Sequence, residues 1–254
     1  MSNQGIRFEA WGITHTGMVR ALNEDRFLLK TDDNVWVVAD GMGGHEGGEI
    51  ASASVVDSIE SIGIASSAPD LRSRVIDRLR RANSEIQRLS RERDGAVIGS
   101  TVVSLLAYDG QFGCLWCGDS RLYMVRDGQI QQISRDHSEI EELLADGVIS
   151  DEEARNWPRK NVITRAIGVS AEPLIDHVYG EINVGDSFIL CSDGLTAHME
   201  DEEIRDLIAG RRAETACQLL IDTTLERGAT DNVTVVVVNC RNAEGTVPVS
   251  SDMM

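Results

Sequence analysis

Basic residues are scarce in this chain. Twenty-four Lys and Arg stand against 42 Asp and Glu over 254 residues, a formal charge of −18. That balance excludes nucleic acid as the natural partner. Long apolar runs are also missing. The longest, Val35–Ala39 and Val235–Val238, are strand-sized and far short of the ~20 residues that cross a bilayer, so no membrane partner is expected. The opening MSNQGIRFEA lacks the basic-then-apolar layout of a signal peptide, which predicts a cytoplasmic protein. Cysteines number five, an odd and scattered set. The C-x-x-C at Cys114 and Cys117 lies in a strand-like run, where residues three apart point to opposite faces, and no second pair completes a zinc site. The five histidines show no paired ligand spacing. With only four prolines and 42% hydrophobic residues, the chain can bury a proper core. One domain is expected over residues 1–241, followed by a small, polar tail at 242–254 expected to be disordered.

What is present centres on Val35–Gly48, VWVVADGMGGHEGG. An apolar, β-branched run bounded by turn residues predicts a buried strand. Asp40 is placed at its end, where a carboxylate is held firmly yet reaches a cleft. The glycines that follow let backbone approach whatever Asp40 holds. They are not a nucleotide loop: Glu46 stands where the last glycine of G-x-G-x-x-G belongs, and no Lys-Ser/Thr pair follows. Six Asp-Gly pairs occur, but only Asp40 and Asp193 follow a buried strand; Asp109-Gly110 and Asp127-Gly128 predict hairpin turns.

Along the rest of the chain, strands are predicted at Phe8–His15, Phe27–Lys30, Ser100–Ala107, Gln111–Cys117, Leu122–Val125, Gln129–Ile133, Phe188–Cys191 and Val233–Val238. Helices are predicted at Ile50–Ile64, Asp70–Asp94, Asp136–Asp146, from Ser150, and at Glu200–Ala209 and Arg212–Arg227. The second of these carries eight arginines on its outer face, interspersed with Asp77 and Glu85, and reads as a solvated surface. Asn156–Gly168 reads as an ordered loop.

Glu24, Asp25, Asp40, Asp119, Asp193 and Asp231 each fall at a strand edge or junction. So many carboxylates cannot share one cleft bare, because like charges in poorly solvated surroundings repel. An oxygen-rich, nitrogen-poor set suits Mg²⁺ or Mn²⁺ rather than Zn²⁺. Other phosphate chemistries are absent: no Cys is followed six residues on by Arg, and neither D-x-D nor G-x-S-x-G occurs.

Five motifs occur in one order: Thr16-Gly17-x-Val19-Arg20-x-x-Asn23-Glu24-Asp25, Asp40-Gly41-Met42-Gly43-Gly44, Gly118-Asp119-Ser120-Arg121, Ser192-Asp193-Gly194-Leu195 and Asp231-Asn232-x-Thr234. With Asp136-His137-Ser138 and Asn161-Val162-Ile163-Thr164-Arg165-Ala166-x-Gly168, the chain from about Ile6 to Asn239 resembles the metal-dependent Ser/Thr protein phosphatases of the 2C type, bacterial branch. The resemblance implies an α+β fold, a sandwich of two antiparallel β-sheets flanked by helices on both sides, with a flap at 134–168. It implies that Asp40 bridges two Mn²⁺ or Mg²⁺ ions, with the Gly41 carbonyl and Glu24 on one and Asp193 and Asp231 on the other. Asp119 and Asp193 would hold a weaker third ion, Asp25 would orient a metal-bound water, and Arg20 would grip the substrate phosphate. A metal-bridging hydroxide would then attack phosphoserine or phosphothreonine in line, without a phosphoenzyme. Phosphoprotein substrates, a cognate Ser/Thr kinase and a monomeric state are expected with it.

Two departures stand out. Met42 occupies a position where many eukaryotic members have the His proposed as general acid, and His45 is the neighbouring candidate. Trp157-Pro158 replaces a His-Pro often found in the flap. A non-catalytic binding module is the main rival and predicts loss of a ligand position; none is lost. The other is a regulatory phosphatase dedicated to one substrate.

Overall fold

A computed structural model describes residues 5–44, 47–155, 157 and 162–243. The first half contains β1 (Ile6–His15), β2 (Asp25–Lys30), β3 (Val35–Gly43), α1 (Gly47–Glu60), α2 (Ala68–Glu92), β4 (Ile98–Ser100), β5 (Val102–Tyr108) and β6 (Gln111–Cys117). Then follow β7 (Arg121–Arg126), β8 (Gln129–Gln132), α3 (Glu139–Ala145), α4 (Asp151–Arg155), β9 (Asp176–Glu181), β10 (Ser187–Cys191), α5 (Asp193–Thr196), α6 (Asp201–Ile208), α7 (Ala213–Glu226) and β11 (Val233–Asn242). Among the described residues these strands form two antiparallel sheets, ordered β1-β11-β10-β7-β8 and β2-β3-β5-β6-β9, with β4 paired to the end of β3.

The period-2 alternation of the strands sorts side chains into stacked apolar layers. In β3, Trp36 and Val38 face the other sheet, whereas Val35, Val37 and Ala39 face α1 and α2. In β11, Val236, Val238 and Cys240 point between the sheets, and Val233, Val235 and Val237 point to α6 and α7. The result is helix–sheet–sheet–helix, the α+β sandwich expected. Cys114 and Cys117 fall in different layers, as residues three apart in a strand must. All five cysteines are free and buried. Both Asp-Gly hairpins have positive φ at both turn residues, 50° and 77° at Asp109-Gly110 and 50° and 74° at Asp127-Gly128, the geometry of a type I′ turn. On α2, Leu71, Val75, Leu79, Ala82 and Ile86 are buried. Its arginines are laced into pairs such as Arg74–Asp70, Arg81–Asp77 and Arg88–Glu85.

Several expectations need correction. The Asp40 strand does not end at Asp40: it runs to Gly43, because Gly41–Gly43 pair with Ile98–Ser100. The strand expected at Ser100–Ala107 is broken at Thr101 into β4 and β5. The helix expected from Asp136 starts at Glu139, capped by the Ser138 hydroxyl, because Asp136 is drawn away to Arg121. The strand β9 was not anticipated. The last strand includes Asn242, a residue expected in the tail; residues 244–254, His45 and Pro158 lie outside the described residues.

The glycines that follow Asp40 and Asp193 allow close backbone approaches. A Cβ on Gly194 would overlap the carbonyl oxygen of Asn232, a backbone atom that cannot swing aside. Gly194→Ala should therefore push apart the segments carrying Asp193 and Asp231. The expected loss is about 2–4 kcal/mol, read as a fall of roughly 5–15 °C in thermal midpoint. A midpoint within 2 °C of the parent, on the order of the ~0.5 kcal/mol scatter of neutral substitutions, would contradict it.

Candidate metal and phosphate site

The six acidic candidates converge at one edge of the sandwich. Pairing of β2 with β3 sets Asp25 directly opposite Asp40. Asp119 sits in the β6–β7 connection, Asp193 opens α5 and Asp231 precedes β11. A cleft of about 340 Å³ is lined by Arg20, Glu24, Asp40, Gly41, Met42, Gly43, Thr101, Asp119, Ile163, Asp193, Asp231 and Asn232. Asp25 is not in that lining. It is fully buried, where its Oδ2 accepts from the Ser192 hydroxyl at 2.7 Å and its Oδ1 has no hydrogen-bond partner.

The framework is held by polar groups whose roles the motifs alone do not disclose. Asn232 is the clamp: its Nδ2 donates to the carbonyls of Thr16 and Leu22, and its Oδ1 accepts from the Glu24 N–H at 2.8 Å. The Met18 N–H donates to the Ala229 carbonyl, so the loop bearing Arg20 and Glu24 is tied at both ends to the loop bearing Asp231. Thr101 performs the same task for Asp40: its hydroxyl accepts from the Asp40 N–H, and its own N–H donates to the Asp40 carbonyl. The Thr101 hydroxyl also meets that of Ser120 at 2.7 Å, next to Asp119.

Behind Asp119 lies His137, buried and stacked on Trp116 with ring centroids 6.0 Å apart. Its Nδ1 accepts from the Gly118 N–H, which leaves the ring proton on Nε2, facing Asp176 at 3.1 Å. Its main chain also bonds Gly118 and Thr164. His137 is thus the tie between the segment after β8 and the Asp119 turn. Arg121 and Asp136 form a second tie, a two-pronged pair with contacts of 2.8–3.0 Å.

The electrostatics follow from crowding. Asp40 is held well above the usual carboxylate range by burial, then by the charges of Asp25, Asp193, Asp119 and Asp231. Burial, reinforced by Asp193, raises Asp25 and Asp119 to about 7. Asp193 is raised by burial and by Asp231, and is hydrogen-bonded to Asp40. Glu24 is raised by burial. Among the described residues, the only guanidinium on the cleft lining is Arg20, whose Nη2 donates to Asp231 Oδ2 at 2.6 Å. That bond raises the Arg20 pKa.

Among the described residues, no three His, Cys, Asp or Glu side chains close on a single point to cage an ion unaided. The carboxylates ring a cleft instead, with the Gly41 backbone beside them. The donor set is all oxygen, the carboxylates repel one another, and one buried carboxylate oxygen lacks a partner. These features fit hard divalent cations that keep part of their water, as Mg²⁺ and Mn²⁺ do.

Comparison with known proteins agrees with this geometry. A family model described as protein phosphatase 2C matches residues 16–230. The Ser/Thr protein phosphatase PstP of Mycobacterium tuberculosis is 35% identical over 225 residues, 88% of this chain and 43% of that protein. The chain thus spans less than half the length of these mycobacterial relatives. The Ser/Thr phosphatase Stp of Listeria welshimeri is 32% identical, with 89% and 93% covered. Among solved structures, PppA of Pseudomonas aeruginosa, described as a key regulatory component of T6SS, superposes with a TM-score of 0.86 at 39% identity, covering 92% and 98%. The catalytic domain of PstP in complex with two manganese ions gives 0.83 at 31% identity, covering 93% and 100%. With the fold, the ordered motifs and the carboxylate-lined cleft in agreement, the chain belongs to the protein phosphatase 2C family.

Proposed function

We propose that this chain is a metal-dependent protein phosphatase that hydrolyses phosphoserine and phosphothreonine. The observation that carries the reading is the set of mutually raised carboxylates around one cleft with Arg20 on its lining. Asp40, Glu24, the Gly41 carbonyl, Asp193 and Asp231 would hold two Mn²⁺ or Mg²⁺ ions, and Asp119 with Asp193 a weaker third. Bound there, the ions would supply concentrated positive charge and activate water for in-line attack on phosphorus. Arg20 offers a planar fork matched to phosphate oxygens. In this structure it is paired with Asp231; cations beside Asp231 would release the guanidinium toward substrate. Asp25, buried opposite Asp40 on the paired strand, would orient metal-bound water. Catalysis would then come mostly from positioning and charge stabilisation, as phosphoryl transfer requires.

The substrates implied are phosphoproteins made by a Ser/Thr kinase. Five free, buried cysteines suit a reducing compartment such as the cytoplasm. No ligand position is lost, which speaks against a purely binding role. Incubation with a phosphothreonine peptide should release phosphate with Mn²⁺ and stop with EDTA. Folded protein that binds Mn²⁺ yet releases no phosphate from any phosphopeptide would sink the reading.

A further inference from the structure

Among the described residues, the cleft lining is charged, polar or glycine except at two positions, Met42 and Ile163. Both are half-buried, with part of each side chain open to solvent. Met42 is fixed by the pairing of β3 with β4, directly opposite Gly99. Because Gly99 has no side chain, the Met42 Cε occupies the space above it, 2.9 Å from where a Cβ would stand. The Val169 Cγ2 lies 3.0 Å from that same point, so Met42 and Val169 both stand over Gly99. Val169 is 50% exposed. Ile163, on the same cleft lining, is held by its bridge to Ser138. An apolar track therefore leads from the carboxylates, along Met42, out to an exposed valine.

We infer that Met42, Val169 and Ile163 form a specificity subsite that takes an apolar side chain flanking the phosphorylated residue. The inference rests on the phosphatase reading and extends it to a substrate class. A cleft ringed by carboxylates would by itself draw basic neighbours; with cations neutralising those acids, the apolar wall is what discriminates. Met is an unbranched, adaptable surface, so Leu, Met or Phe would be accepted in place of one another. Polar neighbours would leave the wall wet and uncovered.

The test compares kcat/KM in Mn²⁺ for phosphothreonine peptides carrying Leu, Ser or Lys on each side of the phosphoresidue. p-Nitrophenyl phosphate, which has no neighbours, serves as the reference. Leu on one side should exceed Ser and Lys by about tenfold, the usual scale for an apolar group filling a pocket. In Met42→Ser/Val169→Ser this ratio should fall to about twofold or less, whereas Met42→Leu should keep it. The ratio is internal to each preparation, so a partly unfolded variant does not distort it. Equal rates for Leu, Ser and Lys, preference for Lys, or an unchanged ratio in the double variant would overturn the inference while p-nitrophenyl phosphate is still hydrolysed. Loss of metal-dependent hydrolysis of every substrate by the parent protein would overturn the phosphatase reading and this one together.

Discussion

Asp40→Asn should abolish phosphopeptide hydrolysis and at the same time make the metal-free protein more stable. The activity loss is expected to reach at least three orders of magnitude in kcat/KM, about 4 kcal/mol of transition-state stabilisation, because the proposed bridging carboxylate is gone. The stability gain has a separate cause. Asp40 is surrounded by Asp25, Asp119, Asp193 and Asp231, and its ionised form is opposed by burial and by each of them. An amide removes that charge, keeps the shape, and can still hydrogen-bond to Asp193, which meets Asp40 in the parent. Thermal unfolding in EDTA should therefore rise by several degrees at pH 7.5, and Mn²⁺ should raise the midpoint less than in the parent. The two readouts move in opposite directions, as expected where a site is built for function against local stability. A variant that loses activity and metal-free stability together would mark Asp40 as a structural residue.

Much of this site was legible because its parts are local. Val35–Asp40 and Phe188–Asp193 each show a buried run that delivers an Asp-Gly, and both deliver it to the cleft. The alternation in β3 and β11 is enough to sort residues between layers, and the Asp-Gly hairpins declare their own geometry. What could not be read depends on distance or on edges. The strand β9, Asp176–Glu181, pairs only with β6 at the border of its sheet and is largely exposed, so its sequence carries few apolar residues and no clear period. The Asp136 segment looks helical by composition, but its first residue is claimed by Arg121, fifteen positions away. The clamp made by Asn232 links residues more than 200 positions apart. Its motif marked the position without disclosing whom the side chain holds. Met42 looked like a departure in a catalytic position. The structure shows that its side chain lies over Gly99 beside Val169, a contact that no sequence spacing reveals.

The same crowded carboxylates predict an unusual pH response. Asp25 and Asp119 are raised to about 7, and Asp40 and Asp193 are raised with them. In the unfolded chain these groups ionise near 4. Between pH 4 and 7 the folded, metal-free protein therefore binds more protons than the unfolded one, and stability falls as pH rises. A fall of several degrees in midpoint is therefore expected across that window. His137 opposes this: burial lowers its pKa, so its contribution is lost as pH drops below its ordinary value; it is one group against five, since Glu24 is raised as well. Asp70 and Glu203, both held down to about 2 by arginine partners, matter only below about pH 4, where their pairs are lost on protonation. Metal-free stability should thus peak near pH 4–5 and decline toward neutrality. Saturating Mn²⁺ binds the ionised carboxylates and the folded state alone, so it should reverse the slope, raising the midpoint little at pH 5 and most at pH 7–8. Differential scanning in EDTA and in Mn²⁺ from pH 4 to 8 measures both slopes. A metal-free midpoint that climbs steadily to pH 7, or a Mn²⁺ shift that does not grow with pH, would show that these carboxylates do not share their charge in the way the cleft requires.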